Sequence, residues 1–252
     1  MNTKPKPKIK YLTRLLVALS LLMLGLLVWF FWGNAFIRWF KDDSHKNALI
    51  ELAATNTSQQ RDTAVIFYSG DGGWREIDQV IAKEMGENGY STVGIDTLAY
   101  YWHYKSPEQS TQELAQIMQD YRQKWGVKRF VLLGFSFGAD VLPFLYNGLA
   151  AADQAQVDAV ILLSFSRGTI FEIEIKSWFN TVQEIDSMPQ LVKIPQEKIL
   201  CIYGSEEASE SGCTAPEFIG TALEIKGGHH FDEDYPNLAK KIMSFIKAIK
   251  SH

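Results

Sequence analysis

Residues 129–142 read RFVLLGFSFGADVL, in which an apolar run of strand length stops at a Gly-x-Ser-x-Gly turn and a segment with helical spacing follows. A serine between two glycines at a strand-to-helix junction is typical of a nucleophile elbow. The turn is sterically tight, so Gly134 and Gly138 leave space that larger side chains would fill. Ser136 is then exposed at the positive amino end of the helix. The stretch therefore predicts Ser136 as a nucleophile.

On both sides of this junction the chain alternates strand-length apolar runs with longer segments of helical period. This alternation predicts an α/β fold of the α/β-hydrolase type, with a mostly parallel sheet of about six strands and helices on both faces. The candidate strands are Thr63–Tyr68, Thr92–Ile95, Arg129–Leu133, Ala159–Ser164, Ile199–Tyr203 and Ala222–Ile225. Six such strands fit a single domain over residues 62–252.

Two helices have clear signals in the sequence. Ser106-Pro107-Glu108-Gln109 predicts a capping box with proline at the first helical position. An apolar stripe at helical spacing follows this box, and a second stripe marks a carboxyl-terminal helix that should cover the sheet. The stripes are Leu114, Ile117, Met118, Tyr121 and Trp125, and then Leu238, Ile242, Phe245, Ile246 and Ile249.

A serine hydroxyl needs a base to remove its proton, so this interpretation requires a histidine later in the chain. Residues 227–231 read GGHHF and lie between the last candidate strand and the last helix, where this fold places its base. His229 is the first candidate because it directly follows the glycine pair, and His230 is the second. Both could also be ordinary loop histidines. The other three histidines lie before the first strand, before the capped helix and at the carboxyl terminus.

The acid that orients the base should follow a strand located between the serine and the histidine. Residues 199–207 read ILCIYGSEE and end a strand in two carboxylates. Glu207 is the first candidate and Glu206 the second, although either one could simply be solvated. Asp186 is a weaker candidate because no strand precedes it.

Acyl transfer also needs hydrogen-bond donors directed at the developing oxyanion. The backbone amide of Phe137 is one candidate. The loop after the first strand, SGDGGW at residues 69–74, should supply a second donor from Asp71 or Gly72. A phosphate cradle is a weaker interpretation of this loop, which lacks both the dinucleotide-binding spacing and the lysine of a P-loop.

The chain has two cysteines, Cys201 and Cys213, which bracket the acidic loop. In an exported domain they could form a disulfide that holds this loop, although two free thiols are the alternative. No cluster of histidine, cysteine or carboxylate residues has the spacing of a metal site. The sequence therefore predicts neither a metal nor a cofactor.

The amino terminus contains a charge-free stretch, Leu15 to Trp32, which can extend through residue 36 and reach bilayer-spanning length. Five basic residues precede the stretch, and four aromatic residues at its other end resemble an interfacial belt. We expect a cytoplasmic tail at 1–14, a transmembrane anchor at 15–36 and a stalk at 37–61, with the domain exported to the other side of the membrane. A cleaved signal peptide and a buried core helix are the alternatives.

The formal net charge is −4, and without the five amino-terminal basic residues 20 Lys and Arg face 29 Asp and Glu. This balance argues against nucleic acid as a partner and favours a cationic substrate, although it could serve solubility alone. Asp140 and Asp96 are candidates for contacting such a substrate. A buried, hydrogen-bonded structural role is the alternative for each.

Several motifs in the same order make the chain similar to the bacterial VirJ and AcvB virulence-protein family over residues 63–249. These motifs are SGDGGW at 69–74, GIDTLAYYW at 94–102, GFSFGADVLPF at 134–144, CIYGSEE at 201–207 and GGHHF at 227–231. The resemblance implies a periplasmic α/β-hydrolase with its serine at Ser136 and its histidine within residues 227–231. Because AcvB members hydrolyse aminoacylated phosphatidylglycerol, it also implies this membrane lipid, chiefly lysyl-phosphatidylglycerol, as the substrate.

The residues and the resemblance together predict a serine esterase anchored in the inner membrane. Two alternatives stay open at this point. One is a non-catalytic periplasmic partner of a secretion system that exports virulence factors. The other is an esterase, thioesterase or acyltransferase that acts on a different acyl group.

Overall fold

The computed structural model describes residues 19–20, 22–23, 48–56, 58, 61–173 and 184–249. Residues 45–252 form one compact unit and residues 1–44 another. Within the described residues, no helix is both long enough and apolar enough to span a lipid bilayer. The predicted anchor at 15–36 lies almost entirely outside the described residues.

A seven-stranded sheet in the order β1-β3-β2-β4-β5-β8-β9 forms the centre of the larger unit. Every neighbouring pair is parallel except β1 with β3. A separate two-stranded antiparallel hairpin pairs β6 with β7. The strands are β1 Leu49–Leu52, β2 Thr63–Tyr68, β3 Ser91–Ile95, β4 Arg129–Phe135, β5 Val157–Leu163, β6 Gly168–Thr169, β7 Ile185–Asp186, β8 Ile199–Gly204 and β9 Thr221–Ile225.

All six predicted strands are present in this sheet, with bounds that differ by at most two residues. The strand of this sheet that sequence analysis missed is β1, which lies in the segment expected to be a stalk. It pairs antiparallel with β3 from Leu49 opposite Ile95 to Leu52 opposite Thr92. The sheet therefore begins ahead of residue 62. A four-residue strand that contains a glutamate has little period-two signal, which explains why the sequence did not reveal it.

Helices cover both faces of the sheet, as predicted. The helices are α1 Glu76–Glu87, α2 Thr97–Tyr100, α3 Pro107–Trp125, α4 Phe137–Gly148, α5 Ala151–Gln154, α6 Met188–Leu191 and α7 Tyr235–Ile249. Buried apolar residues of α1 and α7 pack against one face. Those of α3, α4 and α6 pack against the other. The sheet is thus enclosed in two apolar layers, and its reactive groups must lie at its edges.

The predicted start of α3 is correct, but only half of its capping box forms. The Ser106 hydroxyl oxygen accepts a hydrogen bond from the Gln109 amide at 3.2 Å. The Gln109 side chain donates instead to Glu113 at 3.1 Å, one turn further along the helix. The helix ends at Gly126, which has a φ of 67° and therefore adopts the left-handed conformation that favours glycine.

The strand order reverses direction at β2 and β4, which are neighbours in the centre of the sheet. In open α/β sheets, ligands bind beyond the carboxyl ends of the strands at such a point. Tyr68 at the end of β2 lies opposite Gly134 in β4. The loop after β2 and the elbow after β4 therefore meet at the carboxyl edge of the sheet.

Candidate active site

Ser136 has a backbone conformation that is rare for residues other than glycine, with φ 51° and ψ −120°, and it occupies the tight turn between β4 and α4. Its amide donates to the carbonyl of Leu163 at the end of β5, with an N–O distance of 2.8 Å. The flanking glycines are needed for space. A Cβ on Gly138 would lie 2.2 Å from the Tyr68 carbonyl oxygen, and one on Gly134 would lie 2.5 Å from the Gly138 carbonyl. Backbone contacts thus fix the position of the serine.

The predicted base, His229, is in hydrogen-bond contact with this serine. Its Nε2 lies 2.9 Å from the Ser136 Oγ, although the two residues are 93 positions apart in the sequence. The predicted acid, Glu207, lies on the other side of the ring, with Oε1 at 2.7 Å from Nδ1. With a neutral imidazole, Nδ1–H donates to the carboxylate and Nε2 accepts the serine proton.

The second candidates for base and acid stay outside this chain of contacts. His230 is exposed, and its ring packs on Phe135 with the centroids 5.4 Å apart. The Glu206 side chain is also exposed, while its amide donates to the Gly227 carbonyl at 3.0 Å. Asp186 accepts hydrogen bonds from Arg167 at 3.0 Å and from the Met188 amide at 2.9 Å. It therefore belongs to the β6–β7 hairpin and not to the triad geometry.

The loops that carry Glu207 and His229 are packed directly on each other. A Cβ on Gly204 would lie 2.3 Å from the Gly228 carbonyl oxygen, so a larger residue would push these loops apart. A disulfide joins Cys201 in β8 to Cys213 across the loop that contains Glu207, with the Cα atoms 5.6 Å apart. Closing a loop of this length stabilises the fold by about 3 kcal/mol.

Sequence analysis missed one residue that contacts the histidine loop, Ser164. Its hydroxyl donates to the main-chain carbonyl of His229 at 3.0 Å. Ser164 is buried, and its φ of 49° ends β5 sharply. A serine at the carboxyl end of a strand beside the elbow is the signal that could have suggested this role.

The residues after His230 form a left-handed turn without glycine. Phe231, Asp232 and Glu233 have φ values of 54°, 51° and 60°. Each such residue costs about 1–2 kcal/mol relative to the right-handed region. Phe231 is fully buried in the core beneath the loop, and that burial offsets part of the cost. The histidine loop is therefore held in a conformation that its own backbone disfavours.

The loop at residues 69–74 approaches the elbow at Gly70. A Cβ on Gly70 would lie 3.6 Å from the Cβ of Ser136, and a hydrogen bond of 3.0 Å from the Gly73 amide to the Gly70 carbonyl closes the turn. Asp71 and Gly72 at its tip are exposed. Phe137 is the first residue of α4, so its amide has no acceptor within the helix. These positions agree with the predicted donors, whose role in binding an oxyanion stays a prediction.

The two aspartates considered for substrate contact have structural partners. Asp140 is buried on α4 and accepts hydrogen bonds from the Ser166 amide at 2.9 Å, the Ser166 hydroxyl at 2.7 Å and the Arg167 amide at 3.2 Å. Asp96 caps α2 by accepting from the Ala99 amide at 3.1 Å. Asp140 is only 5% exposed and both of its carboxylate oxygens accept hydrogen bonds, which favours the structural alternative for this residue.

Burial raises the pKa of two carboxyl groups, one in α4 and one in α1. Asp140 has a pKa raised to about 7, because desolvation outweighs the donors from Ser166 and Arg167. Asp78 in α1 is fully buried, and its pKa is also raised to about 7 by desolvation, although the Arg75 amide donates to it at 2.8 Å. Both groups gain a charge near neutral pH.

A cavity of about 230 Å³ adjoins the histidine and the acid. It lies between the segment after β5 and the loop that contains Glu207. Its lining consists of Ser164, Phe165, Ser166, Glu207, Glu210, Ser211 and His229. Two larger cavities, of about 400 and 440 Å³, have linings that include none of Ser136, Glu207 and His229.

The fold is similar to that of several solved α/β proteins, at identities that support the fold alone. Est1E from Butyrivibrio proteoclasticus with bound ferulic acid is 14% identical, with a TM-score of 0.54 over 81% of this chain and 95% of that chain. XC6422 from Xanthomonas campestris, described as an α/β serine hydrolase without a lid, is 14% identical, with a TM-score of 0.52 over 79% and 88%. A membrane phospholipase A described as a bacterial virulence factor is 14% identical, with a TM-score of 0.50 over 95% and 100%.

A search of curated proteins found no significant match. The bacterial virulence protein family VirJ matches residues 62–250, which are three quarters of the sequence and include every residue of the site. The chain therefore belongs to the bacterial virulence protein (VirJ) family.

Proposed function

We propose that the protein is a serine ester hydrolase in which Ser136 is the nucleophile, His229 the base and Glu207 the acid that orients the base. The observation that carries this proposal is the continuous chain of short contacts, 2.9 Å from Ser136 Oγ to His229 Nε2 and 2.7 Å from His229 Nδ1 to Glu207 Oε1. A serine, an imidazole and a carboxylate in this order form the arrangement that activates a hydroxyl for acyl transfer.

In the first half of the reaction, Ser136 Oγ attacks the ester carbonyl carbon while its proton passes to His229 Nε2. Glu207 stabilises the imidazolium that forms. The amide of Phe137, with that of Asp71 or Gly72, donates to the developing oxyanion. The ester C–O bond then breaks, and the imidazolium gives its proton to the leaving alcohol.

In the second half, water attacks the acyl-enzyme after giving a proton to His229. The tetrahedral intermediate collapses, the bond to Ser136 Oγ breaks, and the proton returns to the serine. The acid is released and the enzyme regains its starting state. No step requires a metal or a cofactor.

For the substrate, we propose aminoacylated phosphatidylglycerol, in particular its lysyl form. Membership of the VirJ family and the resemblance to AcvB support this choice. Ser136 would attack the lysyl carbonyl, phosphatidylglycerol would leave as the alcohol, and water would release lysine. The excess of acidic residues after the amino-terminal tail favours a cationic acyl group.

For the location, we propose a tail at 1–14, an inner-membrane anchor at 15–36, a connecting segment up to the sheet and a periplasmic catalytic domain. The charge-free stretch from Leu15 to Trp32 and the five basic residues before it support this orientation. The Cys201–Cys213 disulfide supports an oxidising compartment. An anchor would also raise the local concentration of a lipid substrate.

The decisive experiment uses the full chain in lipid vesicles that contain lysyl-phosphatidylglycerol and measures free lysine. We expect lysine release by the wild type and a loss of at least about 10⁴-fold in Ser136→Ala. A fluorophosphonate probe provides a second readout, which should label the wild type and not Ser136→Ala. Labelling without lysine release would leave a serine hydrolase with another acyl substrate. If a folded protein shows no labelling and releases no lysine, catalysis is excluded and the non-catalytic secretion partner is favoured.

A further inference from the structure

The 230 Å³ cavity beside His229 has a pattern of hydrogen-bonding groups that selects for one kind of ligand. Three of its lining residues are serines, and each hydroxyl already donates its proton elsewhere. Ser164 donates to the His229 carbonyl at 3.0 Å, Ser166 to Asp140 at 2.7 Å and Ser211 to the Phe165 carbonyl at 3.4 Å. Lone pairs, and not protons, are what these hydroxyls have left for a ligand, and one lone pair of Ser211 already accepts the Cys213 amide at 3.2 Å.

The charged groups of the cavity reinforce this pattern. The Glu207 carboxylate is already engaged by the His229 ring, at 2.7 Å from Nδ1. Glu210 is exposed in the lining and forms no ion pair with any residue that the structure describes. No lysine or arginine contributes to the described lining. Nearby Arg167 is already paired, at 3.0 Å to Asp186 and at 2.9 Å to Glu217.

A cavity that offers acceptors and one unpaired carboxylate fits a group that only donates, and a primary ammonium is such a group. The same lining disfavours a carboxylate or a phosphate, because its serine hydroxyls donate elsewhere and no lysine or arginine contributes to the described lining. The volume is below that of a typical drug-sized site, so it suits a single small group and not an entire lipid. Its position beside the imidazole keeps this group close to the reacting bond.

We propose that this cavity binds a primary ammonium of the substrate and that Glu210 is the specificity-determining residue that pairs with it. The inference rests on the proposed esterase function and assigns its selectivity to one side chain outside the triad. The contact between Glu210 and Glu207 uses the main chain of both residues, since the Glu210 amide donates to the Glu207 carbonyl at 2.9 Å. Changing its side chain therefore leaves the Glu207–His229 contact in place.

Four esters of the same alcohol test the proposal, with lysyl, norleucyl, 6-aminohexanoyl and hexanoyl as the acyl groups. These carry two ammonium groups, the α-ammonium alone, the terminal ammonium alone and none. We expect Glu210→Gln to lower kcat/KM about tenfold for the ammonium-bearing ester that the cavity recognises and to leave the hexanoyl ester unchanged. Glu206→Gln is the matched control, since it removes the same charge from the same loop outside the cavity.

The proposal is overturned if Glu210→Gln leaves the ratio between charged and neutral esters unchanged, or if Glu206→Gln lowers that ratio equally. The second result would mean that the overall negative field, and not a local site, sets the selectivity.

Binding of n-butylammonium to the Ser136→Ala protein, followed by NMR titration, provides a readout that needs no catalysis. Adding Glu210→Gln should weaken this binding about tenfold, whereas adding Glu206→Gln should not. Binding that depends on Glu210 without hydrolysis of any ester would refute the proposed function and keep the ammonium site. Hydrolysis without such binding would refute the site and keep the esterase.

Discussion

At the elbow, main chain packs on main chain, with Gly138 against the Tyr68 carbonyl and Gly134 against Gly138. The loops that carry Glu207 and His229 are held differently. They depend on the packing of Gly204 against the Gly228 carbonyl, one main-chain hydrogen bond from Glu206 to Gly227, a disulfide, a few side-chain hydrogen bonds and a left-handed turn made of residues other than glycine. The nucleophile is thus fixed by the core of the fold, and its partners are fixed by local attachments.

Because of this difference, mutations at the elbow and mutations in the partner loops should have different effects. A change at the elbow should affect folding, because the packed backbone has no room to adjust. A change in the partner loops should affect catalysis more than folding, because a small displacement of the base or the acid lengthens a working hydrogen bond. The following predictions are ordered from the largest expected effect to the smallest.

Replacing His229 by alanine should lower kcat about 10⁴-fold with little change in thermal stability, because the serine loses its base while the core stays intact. The same change at the exposed neighbour His230 should lower kcat less than tenfold. Steady-state kinetics and a melting curve for each variant check this pair. Equal losses in kcat would contradict the assignment of the base.

Gly138→Ala should lower the free energy of unfolding by about 3 kcal/mol or more, because its Cβ would collide with the Tyr68 carbonyl oxygen at 2.2 Å. Gly72→Ala is the control, since the nearest heavy atom to its Cβ would be 3.9 Å away. Urea unfolding of both variants tests the comparison. A Gly138→Ala protein as stable as the wild type would show that the elbow backbone can move.

Replacing both Cys201 and Cys213 by alanine should lower the free energy of unfolding by about 3 kcal/mol. The loop that contains Glu207 should also lose order, so kcat should fall while the fluorophosphonate probe still labels Ser136. Denaturant unfolding measures the change in stability. Steady-state kinetics and the labelling rate measure the change in catalysis. Unchanged stability would mean that other contacts hold this loop.

The stability of the protein should depend on pH through Asp78 and Asp140, whose pKa values are raised to about 7. Between the ordinary carboxyl pKa and about 7, the folded state binds more protons than the unfolded state, so stability falls as pH rises. Raising the pH from 5 to 7 should lower the free energy of unfolding by roughly 2 kcal/mol for each carboxyl. Asp78→Asn should remove its share of this slope, as unfolding curves at each pH would show, and an unchanged slope would contradict the raised pKa.

Ser164→Ala should lower kcat about fivefold, which corresponds to about 1 kcal/mol for the lost hydrogen bond to the His229 carbonyl. Ser209→Ala, in the exposed part of the loop that contains Glu207, is the control and should leave kcat unchanged. KM for the hexanoyl ester, which carries no ammonium for the cavity to bind, should stay the same in both variants. A normal kcat for Ser164→Ala would mean that the other attachments of this loop are sufficient to hold the histidine.

The sequence was most informative where long periodic segments and ordered motifs coincide. The elbow at residues 134–138 and its flanking strand and helix follow from the local pattern, and chain order then restricts the base and the acid to two short loops. The pattern ranked His229 ahead of His230 and Glu207 ahead of Glu206, but it left the second candidate open in each case. Neighbouring residues point in different directions, and the conformation of the loop decides which side chain faces the serine.

Other features depend on contacts between distant segments and leave little local signal. Strand β1 has only four residues, and the β6–β7 hairpin pairs two residues on each side. The role of Ser164 depends on a loop 65 positions later in the sequence. The left-handed turn at Phe231–Glu233 lacks the glycine or asparagine that normally marks such a backbone.

The direction of β1 determines where the polypeptide joins the domain. Because β1 is antiparallel to β3, Leu49 lies beside Ile95 at the carboxyl end of β3, and the Asp96 amide donates to the Ala48 carbonyl at 2.9 Å. Ala48 therefore lies at the same edge of the sheet that carries Ser136. A parallel β1 would have placed it at the far edge, about 17 Å away for a five-residue strand such as β3. The first described residues of the domain thus lie at the reactive rim and not at the back of the domain.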